Sequence, residues 1–291
     1  MMNKYITFVS WEDRFVESLK HDLNELSNID EIVCFYFEEE KFYSKTKKNI
    51  SELQEIVNNE SITISIYSLS FDDYLFSWKT MNDVFSKFNT EDEFILNIST
   101  MPRNIIFSIY HFLTNLESIF SIKYFSPMSH GNDITRNPSK PELILQHGGI
   151  MLPSKKIILI VILGHDIKRV HQLYNFIEPS QIHIGLGTNH QTALPSDLDT
   201  DFDDIQNKEI FEINSFSNEK VYSILKEKIL TFRDDFNIVL CSLGPKIETV
   251  GMFKVHREYP ETALLYAPSK DYADDYSLGT NLSNIITINS M

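Results

Sequence analysis

Apolar and polar positions alternate along the chain in two registers. Short runs rich in β-branched and aromatic residues read as strands: Lys4–Ser10, Glu31–Phe37, Ile62–Leu69, Glu93–Ser99, and Ser121–Ser126. Between them lie stretches with helical spacing. After the first strand, Phe15, Val16, Leu19, Leu23 and Leu26 recur every three or four positions. A second helix is expected in SKTKKNISELQEIV, a third in DDYLFSWKTMNDVFSKF, and a fourth in PRNIIFSIYHFLTNL. The pattern is β-α four times and a closing strand, which predicts a mainly parallel sheet covered by helices on both faces.

The rhythm breaks between Pro127 and Lys155, where prolines and the pair Gly148-Gly149 accumulate. It then restarts. Lys156–Leu163, Gln181–Gly187, Glu209–Asn214, Phe236–Ser242 and Thr262–Ala267 read as five more strands. The third helix of this half is preceded by an acidic stretch, 188–207, that stands where the second helix would be. The expected fold is therefore α/β: two tandem Rossmann-like three-layer domains with mainly parallel five-stranded sheets of order 3-2-1-4-5. The boundaries read 1–128, a linker with a short hairpin at 129–155, and 156–291.

The turn after each fourth strand carries the strongest internal match. Ser99-Thr100-Met101-Pro102-Arg103 and Ser242-Leu243-Gly244-Pro245-Lys246 both read Ser-x-x-Pro-basic. The first turns, Ser10-Trp11-Glu12-Asp13-Arg14 and Gly164-His165-Asp166, match only through Asp13 and Asp166. In the assumed strand order these four turns meet at the point where strand order reverses, which is where doubly wound sheets bind ligands.

Each turn has a chemical and a purely structural reading. Pro102 and Pro245 suit a first helical position. Ser99 and Ser242 serve either as helix caps or as donors to a ligand oxygen. Arg103 and Lys246 oppose the helix dipole and so call for an anion or open water. Trp11 offers a stacking face, and Arg14 a phosphate partner or an ion pair with Glu12 or Asp13. Glu12, Asp13 and His165 are the acid/base candidates. Asn97, Thr100, Gly164, Asp166 and Gly244 complete the candidate ligand-binding set.

Composition narrows the function classes. Net charge is −15, from 26 basic and 41 acidic residues. An acidic surface repels phosphate backbones, so duplex nucleic acid is not expected as a partner. The run Asp197–Asp204 reads as a solvated acidic loop. No His, Cys or carboxylate spacing suggests a metal site, and no cofactor is expected. The two cysteines, Cys34 and Cys241, lie within apolar runs and read as buried small hydrophobes. The N-terminus lacks the long apolar core of a signal peptide, and no run approaches membrane length. The expectation is a soluble, cytoplasmic protein with no membrane partner.

Asn97, Ser99 and Arg103, followed by Ile105, resemble the fourth-strand turn of CARF domains, the CRISPR-associated Rossmann-fold sensors. In the second half Ser242, Gly244 and Lys246 fit, while Leu240 stands where the Asn or Asp should be. The resemblance implies binding of a nucleotide or cyclic oligonucleotide by a regulatory component of a prokaryotic defence system. It also implies a protein partner or effector, and it leaves room for a homodimer. Two other functions follow from the same turns: an enzyme on nucleotides (ring nuclease, phosphodiesterase, or N-glycosyl transferase or hydrolase), or a non-catalytic structural subunit.

Overall fold

The computed structural model describes residues 1–26, 28–38, 43–58, 61–131, 135–164, 166–188, 202–273 and 277–289, with backbone alone for 135–138 and 270–272. The chain forms two compact units. One comprises Met1–His130 with Ser277–Met291, the other Gly131–Tyr276.

In the first unit the order is β1 (Asn3–Phe8), α1 (Asp13–Glu25), β2 (Glu31–Phe37), α2 (Tyr43–Val57), β3 (Thr63–Leu69), α3 (Tyr74–Phe85), β4 (Glu93–Asn97), α4 (Arg103–Asn115) and β5 (Phe120–Ser129). With β14 (Leu278–Asn289) at its edge, the sheet runs β14-β5-β4-β1-β2-β3. Strands β1 to β5 are parallel, in the expected order 3-2-1-4-5. The sixth strand, β14, pairs antiparallel with β5.

Alternation along β2 shows how the layers are made. Cys34 packs with Phe15, Leu19, Leu53 and Val57 of α1 and α2. Its neighbour Phe35 faces the opposite way and stacks on Phe85 of α3, which in turn stacks on Phe112 of α4. Successive strand side chains must point to opposite faces, so one apolar strand builds both helix layers. Each such buried side chain stabilises the fold by roughly 1.5–3 kcal/mol. Burial also raises the Cys34 thiol pKa far above its ordinary value.

The second unit adds β6 (Thr135–Pro138), β7 (Glu142–Leu143), β8 (Lys156–Ile162), α5 (Ile167–Ile177), β9 (Gln181–Gly187), β10 (Lys208–Ile213), α6 (Asn218–Phe232), β11 (Phe236–Ser242), α7 (Ile247–Glu258), β12 (Ala263–Tyr266) and β13 (Ser269–Tyr272). Its sheet runs β10-β9-β8-β11-β12-β7. Again five strands are parallel in 3-2-1-4-5 order, and the edge strand β7 is antiparallel. Leu159, Val161, Ile182, Ile184, Val239 and Leu265 form one core with Val170 and Leu173 of α5. Cys241 lies in that core, and neither cysteine forms a disulfide.

The structure departs from the sequence reading in three places. Each sheet has six strands rather than five. The expected hairpin in 129–155 is absent as such: β7 pairs with β12, and β6 pairs with β13. Residues 278–289 fall within the expected second domain, yet they form a strand that completes the first sheet. Most of the acidic run Asp197–Asp204 lies outside the described residues; within it, Asp204 reaches His171 at 3.4 Å.

Candidate functional site

In the first sheet β1 and β4 are neighbours, with β2 and β3 on one side and β5 on the other. The turns after β1 and β4 therefore flank the reversal point. Hydrogen bonds fix both. Thr100 Oγ1 donates to the Phe8 carbonyl at the end of β1, at 2.6 Å. The Phe125 N–H donates to Ser99 Oγ at 2.9 Å, and Arg14 Nη1 donates to the Phe125 carbonyl at 3.0 Å. A single peptide position on β5 thus ties down a residue from each turn.

Arg14 is almost fully buried and pairs with Glu12 at 2.7 Å. Ser277, just ahead of β14, donates its hydroxyl to the same Glu12 oxygen. Asn49 on α2 donates to the carbonyls of Ser10 and Glu12 at 2.8 and 3.3 Å. These partners make Glu12 and Arg14 an internal clamp. An ion pair withdrawn from water and satisfied this way holds a loop, and it makes a poor general base. Asp13 is exposed at the start of α1 while Glu12 is buried, so the two carboxylates do not address one substrate.

Ser99 does not cap α4. That helix starts at Arg103 with Pro102 at the N-cap, which makes no side-chain cap bond, while Asn104 Oδ1 accepts from the Ile105 N–H at 3.0 Å. Pro102 therefore sits one position ahead of its expected place. The first turn of α4 contains no acidic residue, and Arg103 there is half-buried. The N–H groups ahead of Ile105, the positive end of the helix dipole and an arginine coincide at this turn. Trp11, also half-buried, stands in the facing turn.

A buried polar chain underlies this turn. Asp22, wholly buried on α1, accepts from Lys123 Nζ at 2.5 Å and from the Tyr5 hydroxyl at 2.7 Å. Asn97 Nδ2 donates to that hydroxyl at 2.6 Å and to Ser18 Oγ at 3.2 Å, and its Oδ1 accepts from the Ser99 N–H at 3.0 Å. Desolvation first, and the Asp22 charge second, raise the Tyr5 pKa well above its usual value. Asn97 was expected to contact ligand; here it connects the core network to the turn. Tyr5, Ser18, Asp22 and Lys123 escaped the sequence reading because each lies inside a regular element with no turn signal.

The second unit closes its reversal point differently. Gly164 and Leu243 touch: a Cβ on Gly164 would lie 2.6 Å from the Leu243 carbonyl carbon and closer still to its oxygen. Ser242 Oγ donates to Glu248 Oε2 at 2.8 Å, and that carboxylate lies directly over Gly244. Glu248 is fully buried in the first turn of α7. The protein's own carboxylate therefore occupies the helix N-terminus where a bound anion was expected. Lys246 is the N-cap of α7 and is mostly buried, so Pro245 again precedes the helix rather than opening it. Asp166 is the half-buried N-cap of α5 and makes no side-chain cap bond. His165 lies outside the described residues. The sequence signal for Glu248 was present as an acid in a first helical turn, but that pattern is common and does not reveal its partner.

Among the described residues, no group of three His, Cys, Asp or Glu side chains is placed to hold a metal ion. Nor is any helix among them long and apolar enough to cross a membrane.

No protein-family model matches the chain, and no curated protein does either. Among solved structures, the cytoplasmic domain of a prokaryotic cation chloride cotransporter is similar at 8% identity and a TM-score of 0.28. That match covers 94% of this chain and 98% of that one. A likeness at this level carries no functional argument.

Proposed function

We propose that the first unit binds a nucleotide-type anionic ligand at the carboxyl end of its sheet, between the turns after β1 and β4. The observation that carries this reading is the N-terminus of α4. Its N-cap, Pro102, makes no side-chain cap bond, its first turn has no acid, and it holds half-buried Arg103 at the reversal point of a 3-2-1-4-5 sheet. Helix N–H groups and a guanidinium together suit a phosphate. Trp11 in the facing turn suits the planar base of a nucleotide. The CARF resemblance of Asn97, Ser99 and Arg103 supports the same ligand class, including a cyclic oligonucleotide. It also supports a sensing role in prokaryotic defence, exerted through a protein partner.

Binding is favoured over turnover because the buried acid of this site, Glu12, is held by Arg14 and Ser277. The closed second reversal point, filled by Glu248, supports assigning ligand recognition to the first unit.

Calorimetry against a panel of mononucleotides and cyclic oligonucleotides tests the reading. At least one member is expected to bind, and Arg103→Ala is expected to weaken that binding by about 10- to 100-fold, as losing a charge-assisted hydrogen bond implies. A panel with no binder, or one whose affinity ignores Arg103→Ala, would refute it.

A further inference from the structure

The first turn of α5 holds a buried cation at a place hostile to cations. Arg169 is only 6% exposed, and among the described residues its Nε has no hydrogen-bond partner. The ion pairs of this unit's described residues use Lys208, Lys226, Lys228, Arg233 and two histidines, and Arg169 enters none of them. Helix α5 is 11 residues long, with no acid in its first turn and no side-chain cap at its N-terminus. Lys168 precedes Arg169 in the same turn. A guanidinium withdrawn from water beside the positive end of a helix dipole is unfavourable unless an anion joins it.

One turn further along, Gln172 Nε2 donates to the Ser139 carbonyl at 2.6 Å, while Gln172 Oε1 is buried without a partner. Residues three apart share a helix face. An unmet donor and an unmet acceptor therefore lie on one side of α5, beside the segment where the Ser139 N–H donates to the Pro268 carbonyl. Water can satisfy both atoms, but it cannot neutralise the charge. A protonated phosphate group does both, because it carries negative oxygens and one P–OH. Sulfate near neutral pH carries the charge but no proton to donate.

We propose that the N-terminal turn of α5 is a phosphate site, in which Arg169 Nε–H donates to a phosphate oxygen and the P–OH donates to Gln172 Oε1. The Asp166 N-cap stands at its mouth. The site belongs to the second unit and does not depend on the nucleotide reading of the first.

Thermal unfolding and calorimetry of the full chain, with inorganic phosphate or sulfate at matched ionic strength, test this. Phosphate is expected to raise the unfolding midpoint and to bind at least about tenfold more tightly than sulfate, the margin of one charge-assisted hydrogen bond. Arg169→Met is expected to fold and to lose the phosphate response. Gln172→Glu, which supplies an internal carboxylate, is expected to raise the midpoint without phosphate and also to abolish the response. No response in the unaltered protein, an equal response to sulfate, or a response that survives in a folded Arg169→Met would overturn the proposal. If Arg169→Met does not fold, a phosphate response that survives in Gln172→Glu would overturn it alone.

Discussion

Gly164→Ala is expected to destabilise the second unit by about 3 kcal/mol or more, at the upper end of what overpacking costs. The added Cβ would meet the Leu243 peptide at 2.6 Å or less, and both partners are backbone at the ends of buried parallel strands. Neither can rotate away, as a side chain would. Relief requires separating β8 from β11, whose hydrogen bonds run from Phe236 to Ser242. Gly244→Ala is the control. Its Cβ would meet the Glu248 carboxylate, the end of a flexible side chain, and the expected cost is only about 1–2 kcal/mol. Urea denaturation followed by near-ultraviolet circular dichroism reads both. Unchanged stability in Gly164→Ala would mean that the two turns do not touch. The comparison also bears on function, since contact between these turns closes the reversal point of the second sheet.

Asp22→Ala is expected to cost about 3–5 kcal/mol, the loss typical of removing one partner from a buried charge pair. It leaves Lys123 without its carboxylate and Tyr5 without its acceptor. Asp22→Asn separates the two roles, because it keeps an acceptor for Tyr5 while removing the charge that Lys123 needs. It should fall between Asp22→Ala and the unaltered protein. The double variant with Lys123→Met is expected to recover part of the loss, since the stranded ammonium is then gone as well. Strict additivity of the two substitutions in chemical denaturation would show that the pair is not coupled. The network reaches the turn of the proposed site through Asn97, so Asp22→Asn should also weaken any nucleotide binding that depends on Arg103 while leaving the fold intact.

Much of this architecture was legible along the chain because its signals are local. The apolar runs of β8 and β11 are buried on both faces, as parallel strands flanked by helices must be, and so they read as continuous rather than alternating. The reversal-point turns were recognisable by their small, polar and proline residues. The partner of each turn residue was not. Whether Ser99 faces ligand or core depends on the Phe125 N–H, and whether Arg14 meets a phosphate depends on the Phe125 carbonyl, 111 residues away. Asn97, Ser99, Thr100 and Arg14 all turned inward for this reason. Arg103 kept its expected position at a helix start, because a dipole is a property of the helix itself.

The C-terminal strand makes the same point at larger scale. LSNIITIN has strand character wherever it is placed, since β-propensity describes a pleated surface and not a partner. Its pairing with β5 is a long-range choice among open sheet edges, and only the folded chain makes it. By itself, then, the sequence determined the alternation of strands and helices and the polar, proline-bearing turns that punctuate it, while the 3-2-1-4-5 order was an assumption that the strand pairing bore out. The alternation and the turns follow from hydrophobic period and helix-start chemistry, which act over a few residues. Only the tertiary structure decided which turn residues are spent on the protein itself, that Glu248 fills one reversal point, and that buried Arg169 enters no ion pair among the described residues. Those outcomes depend on which distant backbone and side-chain groups arrive within hydrogen-bonding distance, and no local pattern encodes that.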